Sequence, residues 1–387
     1  MSEPRRIVVV GASLAGLRAA EALRRQGFTG TLTIVGDESR PPYDRPPLSK
    51  ELLRGECTGE DVKLAAHASL DAVWRLGSPA VSLDPAEREV VTASGDRIPY
   101  DGLVVATGSS PRTLPGLPDA HTIRTIDDAY RLRRVLSEGT RLLIVGCGFI
   151  GVEVASSAVS LGARVTMVGL DPPVAPAGRV ASARAARLLA EAGVALHVGR
   201  TVADAGNGQV TLSDGTELDA DQIVVAVGAA PNAGWLAGSG ADTSDGVLCD
   251  ASLRVAGLDG VVAAGDVARW PNATFGGMVM RVEHWSNAVE QATAAARTLL
   301  AGDAAAPFGS VPSFWSDHFG VRLQSVGLPR LADRFEVVEG EPDGDFCAHA
   351  YAGDVLVGGV AYGMARPLAP VRVKLVKAGV RLPASVA

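Results

Sequence analysis

At 387 residues, with 47% apolar and 20% charged side chains, the chain exceeds what one hydrophobic core serves and reads as two or three globular domains. A formal charge of −7 and the absence of a basic stretch argue against nucleic acid as a partner, and no run reaches the roughly 18 consecutive apolar residues of a membrane span. Cys57, Cys147, Cys249 and Cys347 lie far apart, with neither a CxxC pair nor a metal-ligand spacing, so structural disulfides and a metal site are not expected.

In chain order, Arg5 and Arg6 precede an apolar run that resembles a secretory signal, but Gly11, Ser13 and Gly16 break it and a charged helix follows. A soluble, cytoplasmic protein is expected. The run Ile7–Val10 is β-branched and reads as a buried strand. It is followed by the turn 11–16, a helix to about Gln26, and a second strand at Thr31–Val35. The pattern returns with a strand at Leu142–Val145, the turn 146–151, a helix to about Leu161, and a strand at Arg164–Val168. Each is a βαβ unit. Apolar runs ending in glycine at Gly102–Gly108, Ile223–Gly228 and Val261–Gly265 predict further buried strands at the sheet edges that border nucleotide sites. An Ala-rich helix is expected from about Asn287 to Leu300, ahead of Gly302. From about Ser310, short strand-like pieces separated by Gly, Asp and Pro predict a third, smaller α+β domain. The fold class is therefore α/β, with two Rossmann-like dinucleotide-binding domains and a C-terminal α+β domain.

The GxGxxG turn needs its first glycine for the bend, its second for backbone approach to a pyrophosphate, and its third for close packing of helix on strand. Gly146, Gly148 and Gly151 satisfy this, with Phe149 and Ile150 between the last two. In the first turn, Gly11 and Gly16 are present with Leu14 and Ala15, but Ser13 replaces the middle glycine, and its hydroxyl can donate to a phosphate instead. Asp37 or Glu38 is placed to accept from a ribose hydroxyl. In the second unit Gly169 stands where such an acid is expected, and Asp171, three residues past Val168 as Glu38 is past Val35, is the substitute. No arginine lies in 169–178 to meet a 2′-phosphate, so NADH is expected in preference to NADPH.

The stretch Pro42-Tyr43-Asp44-Arg45-Pro46-Pro47-Leu48-Ser49-Lys50 makes the reading specific. Ala106-Thr107-Gly108, Val227-Gly228 with Pro231-Asn232, Ala264-Gly265-Asp266-Val267-Ala268, Val282-Glu283-His284-Trp285-Ser286-Asn287-Ala288 and Phe314-Trp315-Ser316-Asp317 follow in order. With these motifs the chain resembles, over nearly its whole length, the oxygenase-coupled, NADH-dependent ferredoxin reductases. The resemblance implies a glutathione-reductase-like fold, with FAD held by residues 1–111 and about 233–306. It places the nicotinamide nucleotide on 112–232 and an interface domain on 307–387.

It further implies that Lys50 lies beside flavin N5 with Glu153 opposite it near the nicotinamide amide. A buried lysine is costly unless paired, and a carboxylate two residues beyond the glycine turn can supply the partner. Asp266 is implied at the ribityl or pyrophosphate region, and Arg45 at the flavin or its adenosine end. Glu283, His284 and Trp285 are implied as cofactor-binding residues, with Trp285 beside the flavin ring on the side facing the iron–sulfur partner. The helix that starts there would turn its positive end toward N1–C2 and favour an anionic reduced ring. Trp315 and Asp317 belong to the interface-domain motif, in which His318 replaces the usual Gln.

No dithiol pair lies near residues 40–60, so electrons from NADH are expected to leave singly, to a small iron–sulfur ferredoxin serving a monooxygenase or dioxygenase. A local basic patch is then needed, with Arg322, Arg330, Arg334, Arg366, Arg372 and Lys374 as candidates. The chain is expected to be a monomer or homodimer. Two other functions fit part of the pattern. A flavin NADH oxidase or peroxide reductase would need a reactive cysteine before the Pro-Pro-Leu-Ser-Lys turn, whereas Cys57 follows it. A nucleotide-switched binding protein of the apoptosis-inducing-factor type would carry targeting segments and basic surface.

Overall fold

The computed structural model describes residues 4–65, 70–364 and 368–382. The first βαβ unit builds a five-stranded parallel sheet. Its order is Val261–Ala263, Gly102–Val105, Arg6–Val10, Thr31–Val35 and Val73–Arg75. Ile7 to Val10 run in register with Gly102 to Val105 on one side and with Leu32 to Val35 on the other, and all of these residues are buried. Burial on both faces is why these strands read as unbroken apolar runs. The helices Leu14–Arg25 and Trp285–Ala301 pack against each other, bringing residue 285 and the first glycine turn into one layer although they are far apart in sequence.

The second unit repeats the plan with a four-stranded parallel sheet, ordered Ala195–Val198, Arg164–Gly169, Arg141–Val145 and Gln222–Val225. The helix Phe149–Ser160 follows its glycine turn. Of the three glycine-terminated runs expected at sheet edges, the strands at 222–225 and 261–263 are edges, whereas Gly102–Val105 lies inside the first sheet. It is covered there because the chain returns after a long excursion and pairs Val261 to Ala263 along its outer side.

The C-terminal part is a five-stranded antiparallel sheet, with Ser313–His318, Val321–Gly327, Val355–Tyr362, Phe346–Ala352 and Arg334–Gly340 in that spatial order. The helix Leu368–Ala378 packs on it. Its first strand lies against the helix Phe149–Ser160, so the third domain closes over the crevice between the two parallel sheets. Among the described residues no helix is long and apolar enough to cross a membrane.

The glycines of the two turns are explained by contact. A β-carbon on Gly11 would lie 2.0 Å from Ala106 O, and one on Gly146 would lie 2.3 Å from Ala226 O. One on Gly151 would lie 2.2 Å from Gly146 O, whereas one on Gly148 would meet nothing within 4 Å. The outer two positions are closed by the fold itself, and the middle one is free space above a helix start. Gly151→Ala should therefore destabilise the protein by about 2 kcal/mol or more, because backbone must move. Gly148→Ala, at φ −74°, should leave stability within about 0.5 kcal/mol; denaturant unfolding of the two variants side by side checks both.

Candidate functional site where two nucleotide cradles meet

Both cradles end in helix N-termini that lack a capping side chain, at Ser13 and at Gly148. Orphan N–H groups at such ends are a ready anion site. In the first cradle Ser13 Oγ accepts from Arg45 Nη2 at 3.2 Å, which leaves its own O–H free to donate outward. The same guanidinium pairs with Glu38 at 2.6 Å, donates to Arg124 O at 2.5 Å, and stacks 5.1 Å from the Tyr43 ring. Tyr43 also donates to Glu38, and burial pushes its phenol well up from 10. Asp37 is exposed and caps the Glu38 N–H at 2.9 Å. Of the two candidate acids, Glu38 is thus built into a half-buried network while Asp37 faces solvent.

The far wall of this cradle joins the other matched motifs. Asp266 accepts from Ser109 Oγ at 2.9 Å and from Arg124 Nη2 at 3.1 Å. Gly265 N donates to Gln291 Oε1 at 2.8 Å, and the Gln291 Nε2 is buried without a partner. A β-carbon on Gly265 would approach Ala15 to 2.9 Å, so this strand end and the glycine-turn helix are in contact. Thr107 Oγ1 donates to Asn232 O at 2.6 Å and Asn232 Nδ2 returns to Thr107 O at 3.0 Å. That clasp ties the Ala106-Thr107-Gly108 segment to the Val227-Gly228 segment and so joins the two sheets at the crevice.

Sequence reasoning left out Arg124, which lies outside any strong motif. Its carbonyl holds Arg45 and its side chain holds Asp266. The capping box of Thr125 and Asp128 fixes its backbone, with Asp128 accepting from the Arg124 N–H at 3.1 Å.

In the second cradle, Asp171 is exposed and close enough to Cys147 for its charge to act on the thiol; burial, with that charge, pushes the thiol up to about 11. A β-carbon on Gly169 would lie 2.8 Å from Cys147 Sγ, so the thiol fills the space a larger residue 169 would need. Arg200, whose backbone N–H reaches Gly169 O at 3.3 Å, turns its guanidinium onto Asp214. Ile150 is 48% exposed and Gly228 is exposed, leaving this cradle open.

Between the cradles lies the most deeply buried charge pair among the described residues. Lys50 Nζ sits 2.8 Å from Glu153 Oε2, with the two side chains only 6% and 7% exposed, and donates to Pro46 O at 3.0 Å. The lysine comes from the end of the Pro-Pro-Leu-Ser turn, the glutamate from the first turns of the helix Phe149–Ser160. Ser49 Oγ donates to the same carboxylate oxygen at 2.5 Å, while Ser316 Oγ at 2.6 Å and Asp317 N at 3.3 Å donate to Oε1. Ser157 Oγ donates to Ser49 O at 2.7 Å and locks the turn onto the helix. All three domains therefore meet on one carboxylate.

The aromatic rim is formed by Phe149 against Phe314 at 4.6 Å, His284 against Phe314 at 4.8 Å, and Trp285 against Trp315 at 6.2 Å. Trp285 is 36% exposed and donates from Nε1 to Asp44 at 2.9 Å, so it is a rim residue and not core packing. His284 N-caps its helix without a side-chain bond, its Nδ1 is buried with no partner, and burial pushes it down to about 4. Glu283 faces outward and pairs with Arg281. His318 turns inward, fully buried. Of the expected basic patch, Arg322, Arg334 and Arg372 are paired with Asp317, Glu336 and Glu290. Arg330 and Lys374 are exposed, and Arg366 lies outside the described residues.

These features fit FAD in the first cradle and a nicotinamide nucleotide in the second. The middle position of the second glycine turn is free space, uncapped N–H groups border both turns, and unpartnered polar atoms remain on Gln291 behind the Gly265 strand end and on His284 at the rim.

Comparison with known proteins gives a consistent result. Residues 5–292 match the model of the pyridine nucleotide-disulphide oxidoreductases, and residues 313–387 match a reductase C-terminal domain. The chain is 36% identical to rhodocoxin reductase of Rhodococcus erythropolis, over 91% of this chain and 85% of that one. It is also 36% identical to the ferredoxin–NAD(+) reductase component of the anthranilate 1,2-dioxygenase system of Burkholderia cepacia, over 96% and 94%. Among solved structures, the covalent putidaredoxin reductase–putidaredoxin complex superposes with a TM-score of 0.90 at 29% identity, covering 96% of this chain and 93% of that chain.

Two histidines, His318 fully buried and His284 half-buried, give the site a pH signature. Desolvation lowers His284 to about 4 and His318 to about 3, both from 6.5. Between the folded and unfolded values the unfolded chain binds more protons, so stability is full above about pH 6.5 and falls as the pH drops toward 4. The slope is about 1.4 kcal/mol per pH unit for each histidine. Thermal unfolding of the protein between pH 7 and 5 should show this loss, and His318→Gln should make the dependence shallower.

Proposed function

This chain belongs to the pyridine nucleotide-disulphide oxidoreductase family, and from that premise we propose that it is an FAD-dependent ferredoxin reductase, oxidising NADH and passing the electrons singly to a small iron–sulfur protein. The observation that carries the reading is the Lys50–Glu153 pair, buried where both nucleotide cradles and the C-terminal domain converge. FAD, when bound, supplies a ring that takes a hydride from NADH and gives up electrons one at a time. The overall balance is NADH plus two oxidised ferredoxins giving NAD(+), one proton and two reduced ferredoxins.

In this reading residues 1–111 and 233–306 hold FAD, 112–232 hold NADH, and 307–387 complete the crevice. Gly11, Ser13, Leu14, Ala15 and Gly16 bind the FAD pyrophosphate, with Arg45, Glu38, Arg124 and Asp266 fixing the rest of the molecule. Gly146, Gly148, Phe149, Ile150 and Gly151 do the same for NADH, with Val227 and Gly228 along its path. Lys50 holds its ammonium toward the reacting ring edge, and Glu153 neutralises it while facing the nicotinamide amide. His284, Trp285 and Trp315 shield the ring edge from water, and the uncapped start of the helix Trp285–Ala301 favours negative charge on the reduced ring.

Single-electron exit is supported by the cysteines. All four are free, and burial raises every thiol, Cys147 and Cys347 to about 11 and Cys249 to about 12. Thiols held in the protonated form are poor nucleophiles, which disfavours the disulfide and peroxide chemistries. Free thiols also suit a reducing, cytoplasmic location. NADH is supported over NADPH because Arg200 is committed to Asp214. Docking of the ferredoxin is placed at the Trp285 and Trp315 rim.

Anaerobic addition of NADH to the yellow protein should bleach the flavin band, and a ferredoxin added next should restore it; persistence of the band would refute the reading. Lys50→Ala should slow flavin reduction at least about tenfold while leaving ferredoxin reduction by pre-reduced protein within about twofold. Asp171→Asn should lower kcat/KM for NADH about tenfold, the value of one charged hydrogen bond, with little change for NADPH.

A further inference from the structure

Glu153 does not end at its serine donors. Ser316 Oγ, which donates to Glu153 Oε1, lies 2.9 Å from His318 Nε2, and His318 Nδ1 lies 2.8 Å from Tyr362 Oη. His318 and Tyr362 are both 0% exposed. The direction of every bond in this row is fixed by its end. A carboxylate accepts only, so Ser316 must donate to it and accept from the histidine, which places the imidazole proton on Nε2 and makes Nδ1 the acceptor of the Tyr362 hydroxyl.

We infer that His318 is a positioning residue for hydride transfer: through Ser316 it holds the Glu153 carboxylate, and thereby the Lys50 ammonium, in the reacting geometry. The inference rests on the placement of the Lys50–Glu153 pair at the flavin edge proposed above. Three observations carry it. The row is continuous in donor-to-acceptor sense toward Glu153. It starts in the third sheet, at Tyr362 and His318, and ends on the helix of the second cradle, so it couples the closing domain to the carboxylate. Burial pushes His318 down to about 3, so the ring is neutral and keeps the single N–H that the row requires. Because both distal members are sealed from water, the row fixes orientation and is no path for protons to solvent.

A histidine in this place does what a glutamine could also do, since an amide N–H can donate to Ser316 and an amide oxygen can accept from Tyr362. That equivalence supplies the control. The holoenzyme and the variants Ser316→Ala, His318→Leu, His318→Gln and the double variant S316A/H318L are compared by anaerobic stopped-flow with NADH, after absorbance confirms FAD content. Ser316→Ala and His318→Leu should each lower the limiting rate of flavin reduction about tenfold, with KM for NADH within about twofold. The double variant should be no slower than Ser316→Ala, because the histidine acts only through the serine. His318→Gln should restore the rate to within about threefold. A readout independent of turnover is (15)N NMR of the histidines in the unreacted protein, where His318 should be neutral with its proton on Nε2 from pH 6 to 8.

Multiplied effects in the double variant, or a proton on Nδ1, would overturn the inference, as would wild-type rates in both Ser316→Ala and His318→Leu. Glu153→Gln separates the levels. If it slows reduction while the Ser316 and His318 variants do not, only the positioning role fails. If Glu153→Gln leaves the rate unchanged, the flavin-edge placement itself fails and the positioning role with it. Should His318→Leu not fold, Tyr362→Phe, which removes the last donor of the row, replaces it with an expected loss of about threefold.

Discussion

The structure is organised around a charge pair that ought to be unfavourable. Withdrawing an ammonium and a carboxylate from water costs several kcal/mol per ion, and mutual attraction repays this only where further hydrogen bonds satisfy the remaining oxygens and protons. Lys50 and Glu153 meet that condition through Ser49, Ser316, the Asp317 N–H and the Pro46 carbonyl. Two of those groups come from the turn Pro46–Ser49 and two from the strand Ser313–His318 of the C-terminal sheet. The pair therefore does for the assembly what a hydrophobic contact could not: it is satisfied only when the Pro-Pro-Leu-Ser-Lys turn, the second glycine-turn helix and the C-terminal sheet are all in place. A buried ion pair of this kind is weak as a source of stability and strong as a specifier of geometry.

The glycine turns show the same economy at the backbone level. Gly11 and Gly146 meet the carbonyls of Ala106 and Ala226, and each of those residues ends the neighbouring strand of its sheet. The close approach leaves no room for a side chain on the inside and so forces the phosphate-facing N–H groups outward. One design is used twice, and the two copies meet through the clasp of Thr107 and Asn232. The cradles are thereby held across one crevice by hydrogen bonds, with all four cysteines free.

Much of this was legible in the sequence because it is local. The β-branched runs, the glycine spacing and the Ala-rich helix each carry their signal within about a dozen residues, and the observed bounds differ by only one or two positions; the helix after His284 starts at Trp285 and not Asn287. What was not legible is long-range and carried by small or isolated residues. Ser49 and Ser316 have no pattern that marks them as donors to Glu153. Arg124 finds Asp266 across 142 positions, with no periodicity linking the two. The strand Gly102–Val105 reads like any glycine-terminated run, and its interior place depends on a partner strand more than 150 residues later. His318 was visible as a substitution, but its direction, inward to Ser316 and Tyr362, depends on the register of the third sheet.

The two cradles share a plan but differ in how tightly they are closed, and that difference suits a ligand that stays and a ligand that turns over. In the first, the middle glycine is replaced by Ser13, whose oxygen is held by Arg45, and Arg45 is in turn fixed by Glu38, Tyr43 and the Arg124 carbonyl. Releasing a nucleotide from such a site would disturb interlocked groups from several segments at once. In the second, Gly148 has open space, Ile150 and Leu170 are 48% and 67% exposed, and Asp171 stands free on the rim. A nucleotide bound there would be held by a backbone cradle and few side chains, and could leave without reorganising the protein. Under the proposed function this asymmetry suits a resident flavin and an exchanging NADH, because the same crevice would keep one partner through every cycle and surrender the other each time.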